Sequence, residues 1–536
     1  MDESSTIDTE VLIVGGGPTG LVLAVWLTRL GVRVRVIDKT AEPGTTSRAV
    51  AVQARTLEFY GQIGLADELV EGGRQVAAAN LWVAGRQVAR AEFGDMGVGI
   101  SPYPYALIYP QDEHERLLID HLAELGVQVE RRTELLHFED VADHVLARVL
   151  RSDGQLETCK AAYLAGCDGA HSTVRETLNI GFPGGTYTHL FYVADVEASG
   201  TATNGEVHVA FDRTDFLAVF PLKAKGRARL VGTIREDSEH WHENLSWDDV
   251  SKSVIEWLPI DVARVNWFST YRVHHRVANR FCKGRAFLLG DAAHIHSPVG
   301  GQGMNTGIGD AVNLAWKLAA VLHKRARPVL LDSYEPERIA FARRLVATTD
   351  QVFTGVTSEG ASARALRLRI VPFLVPLLFA FRAIRRFLFR TVSQTGVNYR
   401  ASRLSQGRAG RVHGGDRLPW VKTSGLEGNN FKPLTSLDWQ VHIYGNAGPE
   451  IRAICQQRRL PLSVFGWQRA MGRSGLRRDV VYLVRPDGYV AMVDRQGHAE
   501  ALTSYFDKLH ITPPGSGRSE HQPADTMIQK RSQTAD

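Results

Sequence analysis

The stretch that most constrains this chain lies near its start. A short apolar run, Val11 to Val14, meets Gly15, Gly16, Gly17, Pro18, Thr19 and Gly20, and an almost wholly apolar helix follows from Leu21 to Leu30. Gly15, Gly17 and Gly20 give the spacing GxGxxG directly after a strand and at a helix start, the context in which that spacing is informative. Such a turn lets backbone amides approach a phosphate, and the helix N-terminus adds partial positive charge. A second strand, Val32 to Ile37, ends in Asp38 with Lys39 behind it. An acid at about that distance from the glycines accepts hydrogen bonds from a ribose diol. The pattern predicts an adenine-dinucleotide site on a parallel α/β sheet.

A second strand-turn-helix unit lies far downstream. Ala286 to Leu289 reads as a strand, Asp291 stands at its end, and Gly300, Gly301 and Gly303 precede a helix from Asn305 to Lys324. The free amides near Met304 and Asn305 would face an anionic group. Read alone, these glycines serve equally well as plain turn residues.

A chain of 536 residues predicts several domains. Its hydrophobic share of 44% and charged share of 23% are those of a globular protein, and a net charge of +5 favours anionic ligands only weakly. The arginines read as scattered, which argues against nucleic acid. Four cysteines without CxxC spacing and an acidic, polar N-terminus point to a reducing, cytoplasmic setting.

Between the two glycine turns the chain changes character. Ser47, Arg48 and Ala49 lead into a helix-like segment, Gln53 to Tyr60, and on local evidence Arg48 is a solvated side chain. From Val76 to Ile108 short apolar runs read as strands that leave the first domain and return, and Gln111 to Leu125 is a helix stopped by Gly126. A further strand ends at Asp168, where Thr173 and Glu176 have the spacing of a capping box; locally Asp168 is a turn residue. From 180 to 275 strands dominate, and Phe216 to Leu222 is apolar on both faces. That predicts a sheet covered on both sides, by the first domain and by a second layer or an apolar ligand.

Leu366 to Leu388 is apolar and basic, and its uninterrupted apolar core, Ile370 to Phe381, is too short to span a bilayer. An interdomain or oligomer-packing helix is preferred there over a membrane-surface helix. Beyond Gly407 a small α/β unit follows, and the last residues, 512–536, read as a flexible tail.

With these pieces assembled, the chain resembles the single-component FAD-dependent aromatic hydroxylases, the group A flavoprotein monooxygenases, and most of all their larger members acting on phenylpropanoid, simple or polyketide phenols. GGGPTG with Asp38, CDGAHSTVR around Asp168, and GDAAHIHSPVGGQGMNTGIGDA around Asp291 carry the resemblance over residues 9 to 510. It implies a Rossmann-like FAD-binding domain of the GR2 type (1–179 and 276–360) with an inserted antiparallel β-sheet substrate domain (180–275). A helical linker (361–406) and a thioredoxin-like C-terminal domain without redox cysteines (407–511) would follow.

The resemblance also implies roles. Gly15, Gly17, Pro18, Thr19, Gly20, Asp38 and Lys39 would hold the adenine dinucleotide, with Gln111 at the ribityl and phosphate region and Arg116 a weaker match there. Asp168 would lie near the pyrophosphate, Asp291 on the ribityl chain, and Gly301, Gly303, Met304 and Asn305 at the flavin ring. Arg48 would position the mobile ring and Pro298 would border flavin and substrate. NADPH or NADH would bind transiently, O2 would add at flavin C4a, and the resulting hydroperoxide would hydroxylate the ring. The substrate base stays open among Tyr192, His189, Tyr271 and His274, each as readily structural. His294 and His296 lack further ligands in a metal pattern, so no metal is expected. A homodimer is allowed for; nucleic-acid and membrane partners are not expected. Baeyer-Villiger insertion or epoxidation of a polycyclic or lipid-like substrate is the alternative activity, and a non-catalytic flavin or aromatic-ligand binder stands behind both.

Overall fold

The computed structural model describes residues 7–44, 49–211, 216–234, 245–250, 255, 258–297, 301–357, 370–423 and 428–513. Arg48, Pro298 and Gly300, the side chain of His189, residues 366–369 and nearly all of the expected tail lie outside them.

The elements that place the site are β1 (Thr9–Val14), α1 (Pro18–Arg29), β2 (Val34–Asp38), α2 (Ala54–Gln62), β3 (Ala78–Val83), β4 (Arg86–Glu92), α3 (Gln111–Glu124), β5 (Val129–Arg131) and β6 (Leu156–Gly166). They continue with α4 (Thr173–Thr177), β7 (Gly184–Ser199), β8 (Val207–Phe211), β9 (Phe216–Pro221), β10 (Arg227–Ile234), β11 (Asp261–Val277), β12 (Ala286–Leu288) and α5 (Gly303–Leu322). Last come α6 (Tyr334–Thr357), α7 (Val371–Ala380), α8 (Arg382–Val392), β13 (Gln440–Tyr444), α9 (Pro449–Gln457), β14 (Leu462–Phe465), β15 (Val481–Val484), β16 (Val490–Asp494) and α10 (Ala499–Leu509).

The first sheet has a parallel core. β12, β6, β1, β2 and β5 lie side by side, each parallel to its neighbour. Apolar residues on both faces of β1, with Val11, Leu12 and Ile13 fully buried, are what a central parallel strand requires. α1 packs on α5 and α3, so both glycine turns open at the same end of this sheet.

The second sheet runs β11, β7, β10, β9, β8, β3, β4, antiparallel except where β3 meets β8. The strands expected between Val76 and Ile108 therefore supply one edge of this sheet, and the fold is the mixed α/β arrangement the motifs imply. Its two faces differ. Tyr192, Ala194, Leu217 and Leu230 on one face pack against Val250, Ile255 and Leu258, a layer from within the same segment rather than from the first domain. The other face carries Phe191, Val193, Ala218 and Val231 with half-buried Phe220, Trp267 and Tyr271. Phe220 also touches the cluster of Val50, Ala51 and Ile108, so this second face looks toward the first domain.

The C-terminal unit has a four-stranded sheet, β14, β13, β15, β16, with only β13 and β14 parallel. It is tied to the rest by buried charge. Arg485 pairs with Glu337 of α6, which also holds Lys317 of α5 at 2.8 Å. Burial pushes the Lys317 ammonium down to about 8, although Glu337 opposes the shift.

Candidate active site

Two helix N-termini meet at Thr19. A Cβ placed on Gly290, before α5, would lie 2.7 Å from the Thr19 hydroxyl, and one on Gly307, within α5, would overlap it. The two glycine turns are therefore halves of one site.

The first turn shows why each glycine is there. Gly15 has φ +111°, and a side chain would run into the carbonyl of Cys167; one on Gly20 would run into the carbonyl of Gly15. Those two are required by the protein's own packing. Gly17 is different: its φ of −83° suits any residue, and a Cβ there meets nothing within 4 Å. The protein itself does not need a glycine at that place. What would need one is a ligand lying against the backbone at the start of α1, whose first turn carries no acidic residue.

Asp38 sits at the end of β2, where its carboxylate accepts the Gly16 N–H at 2.6 Å and the Thr40 N–H at 2.7 Å, with Arg131 at 3.5 Å. It braces the glycine turn while keeping acceptor capacity. Lys39 beside it is exposed.

Gly44 and Ala49 are both held by α3. Glu115 accepts the Gly44 N–H at 2.9 Å, Gln111 accepts the Ala49 N–H at 3.3 Å, and the Gln111 N–H reaches the Ala49 carbonyl at 3.1 Å. Gln111 also donates to Glu115 at 2.8 Å. Arg116 is different, an exposed side chain pairing with Asp112 one turn away.

Asp168 is half-buried, and its carboxylate accepts from Ser172 Oγ at 2.5 Å and the Val174 N–H at 3.1 Å. Burial raises its pKa, against these hydrogen bonds. The capping expected from Thr173 and Glu176 falls one residue earlier: Ser172 is the cap, accepting from the Arg175 N–H at 3.0 Å. Asp168 thus orders the start of α4, next to the Cys167 carbonyl that fits under Gly15.

At the second turn, Asp291 is exposed in a short 3-10 turn, Gly290–Ala292. Gly301 has φ +60° and its α-carbon lies against Ala51. Gly303 and Met304 open α5 with no acidic residue in its first turn and no side-chain cap. Asn305 ties this turn to the first domain through its side chain. Its amide is fully engaged: Oδ1 accepts the Gln53 N–H at 2.8 Å and the Thr56 hydroxyl at 2.7 Å, and Nδ2 donates to the carbonyls of Ala51 and Gly301. Only its backbone N–H is left for a ligand.

Sequence reasoning missed an ion pair on the wall opposite. Arg229, 2% exposed, grips Asp195 through Nε at 2.7 Å and Nη2 at 2.8 Å, and reaches the Ala49 carbonyl at 3.5 Å. Both lie on the aromatic face beside Trp267. The available signal was an arginine and an aspartate, each in phase with the apolar residues of its strand. Of the base candidates, Tyr271 is on this face, 5.8 Å from Phe191. Tyr192 is on the far face, stacked with Phe268, and His274 is bound to the Thr186 hydroxyl at 2.7 Å.

His294 belongs to the framework, since its Nε2 meets Asp310 at 2.7 Å and Arg338 grips the other oxygen. Burial would raise the Asp310 pKa, but Arg338 and His294 outweigh it and hold the group ionised.

Comparison with known proteins agrees with this geometry. Residues 8–349 match the family described as FAD binding domain. The chain is 34% identical over 96% of its length to 6-methylpretetramide 4-monooxygenase of Streptomyces rimosus, covering 97% of that relative. It superposes on the OxyS anhydrotetracycline hydroxylase from Streptomyces rimosus with a TM-score of 0.75 at 28% identity, covering 95% of this chain and all of that one. A flavin-dependent monooxygenase, PieE, solved with FAD and substrate, shares the fold with a TM-score of 0.77 at 22% identity over 94% of this chain and all of PieE.

The chain belongs to the FAD-binding family of aromatic and polyketide monooxygenases. It is an FAD-dependent oxidoreductase. The open backbone at Gly17 and the acid-free start of α5 fit the cofactor that family binds.

Proposed function

We propose that the protein hydroxylates a phenolic, polycyclic aromatic substrate with O2, using NADPH or NADH as electron donor. The single observation that carries this is the aromatic wall of Phe191, Phe220 and Tyr271, which looks toward Ala51 and the start of α5. Relatives named 6-methylpretetramide 4-monooxygenase and 12-dehydrotetracycline 5-monooxygenase/anhydrotetracycline 6-monooxygenase support a multi-ring phenol. Bound FAD would supply the redox chemistry, taking electrons from the nicotinamide and activating O2.

The protein's own groups do the rest. The backbone at Gly17, Pro18 and Thr19 would cradle the pyrophosphate, Gly15 and Gly20 would shape that cradle, and Asp38 with Lys39 would take the adenosine ribose. Asp291 would fix the ribityl chain, with Gln111 holding the adjoining loop. The amides of Gly303, Met304 and Asn305, preceded by Gly301, would stabilise negative charge on the reduced ring. Asp168 acts by ordering the turn beneath. The apolar wall would exclude water, so that oxygen transfer competes with loss of peroxide. Arg48 and Pro298 keep the roles the resemblance implies. Four unpaired cysteines support a reducing, cytoplasmic setting.

The test is NAD(P)H oxidation across a panel of simple and polyketide phenols, with mass spectrometry of the product. Substrate-stimulated oxidation with one oxygen added is expected. An ester product would favour Baeyer-Villiger insertion instead, and binding without turnover would reduce the protein to a ligand binder.

A further inference from the structure

Between Glu359 and Asp416 the chain contains no acidic residue and eleven arginines. The arginines are therefore not evenly scattered. With 63 basic and 58 acidic residues in all, the rest of the chain has 52 against 58, so one segment carries the whole positive excess. That segment contains α7 and α8.

α7 reads VPFLVPLLFA, without one polar side chain, yet it is not buried. Phe373 is 81% exposed and Leu377 59%, and Leu374, Leu378 and Phe381 are exposed as well. α7 lies along the edge strand β4 and leaves this apolar surface to solvent. Contiguous exposure of that kind marks an interaction surface. α8 continues directly from it. Its Phe389 is buried against Ala54, Met96 and Ile100, which fixes the helix on the body of the protein.

The arginines of α8 stand on successive turns beside this apolar surface. Arg382, Arg385 and Arg390 make no ion pair among the described residues, and Arg386 has only the Val98 carbonyl, at 2.9 Å. Burial, and repulsion from Arg390, Arg382 and Arg411, hold the Arg386 pKa below its ordinary value. A cleft of about 1100 Å³ opens alongside, lined by Arg382, Arg386, Arg390, Arg411 and Arg473 with Trp420, whose buried indole N–H has no partner.

We propose that α7 and α8 dock the protein on a membrane surface bearing anionic phospholipid, the apolar side chains of α7 entering the acyl boundary and the α8 arginines and cleft taking lipid phosphates. No helix among the described residues is long and apolar enough to cross a membrane, so the contact lies in the interface plane. Charge selects this occupant over a second copy. In a two-fold dimer the α8 arginines would be brought against their own images, and Asp416, an acid on the cleft wall, is already taken by Arg400. It is also selected over nucleic acid, which would neutralise the arginines and leave Phe373 and Leu377 in water.

The test uses the purified full-length holoprotein, without aromatic substrate, in vesicle co-sedimentation. Vesicles of equal parts phosphatidylcholine and phosphatidylglycerol should carry the protein down, pure phosphatidylcholine much less, and the bound fraction should fall with salt. R382Q/R385Q should weaken the partition more than tenfold, at roughly fivefold for each basic residue removed from the surface. F373S/L377S should abolish it, with flavin content and melting temperature unchanged because both side chains are exposed. Equal pelleting with neutral and anionic vesicles would overturn the proposal. So would no pelleting at all, or a solution dimer that F373S/L377S dissociates.

Discussion

The two helix N-termini that meet at Thr19 reach the same chemistry by different routes. At α1 the backbone does the work: Gly15 and Gly20 are forced by close approach, and Gly17 is left open. At α5 the turn is held by side chains from distant segments. Asn305 stitches it to Ala51, Gln53 and Thr56, and Gln302 donates to the Val392 carbonyl at the end of α8. A turn whose glycines are forced by backbone carbonyls, those of Gly15 and Cys167, tolerates side-chain change elsewhere in the chain. One specified by long-range hydrogen bonds is coupled to whatever moves its partners.

Substitutions test this contrast directly, and the largest effect is expected at Gly20. Gly20→Val forces a branched side chain against the Gly15 carbonyl, an overpacking that costs about 3 kcal/mol or more. The protein should be recovered without FAD or not at all; normal yield and flavin content would refute the account of the first turn. Asn305→Ala comes next. It strands two donors and two carbonyls at the start of α5, with a loss on the order of 3 kcal/mol in denaturant unfolding. It should also slow flavin reduction, and an unchanged midpoint would show that the amide network is incidental.

A smaller effect follows from pH. Burial lowers the pKa of His114 to about 3, of His442 to about 3, and of His296, near Gly303, to about 4 despite its hydrogen bond to the Ser297 carbonyl. The unfolded chain takes up these protons near pH 6.5 while the native protein refuses them. Stability is therefore full above about pH 6.5 and is lost as pH falls toward 4 and then 3. A melting temperature that stays flat from pH 7 to 4 would contradict this.

The smallest effect on the fold belongs to Gly17→Val, which should leave apoprotein stability within about 0.5 kcal/mol of wild type. Its FAD affinity should nevertheless fall sharply. Equal losses at Gly17 and Gly20 would erase the difference drawn between them.

Legibility in the sequence follows the same division. GGGPTG and the apolar run before it predict β1 and α1, because strand, turn and helix start are adjacent in the chain; the Cys167 carbonyl that forces Gly15 is not legible there. The alternating strands from Val207 to Ile234 were readable for the same reason. Asn305 looks like a ligand-facing residue in the sequence, since three of its four side-chain partners lie in segments some 250 positions away. The Arg229 and Asp195 pair was hidden likewise: each is one polar residue in an apolar strand until the pairing of β7 with β10 sets them opposite one another. The two faces of the second sheet could not be told apart, because what covers each is decided by folding at long range.

The most direct measurement of the central claim is a turnover under isotopically labelled dioxygen with NADPH and an accepted polyketide phenol. One labelled oxygen atom on a ring carbon of the product is the predicted result. Product without label, or with oxygen drawn from water, would contradict it.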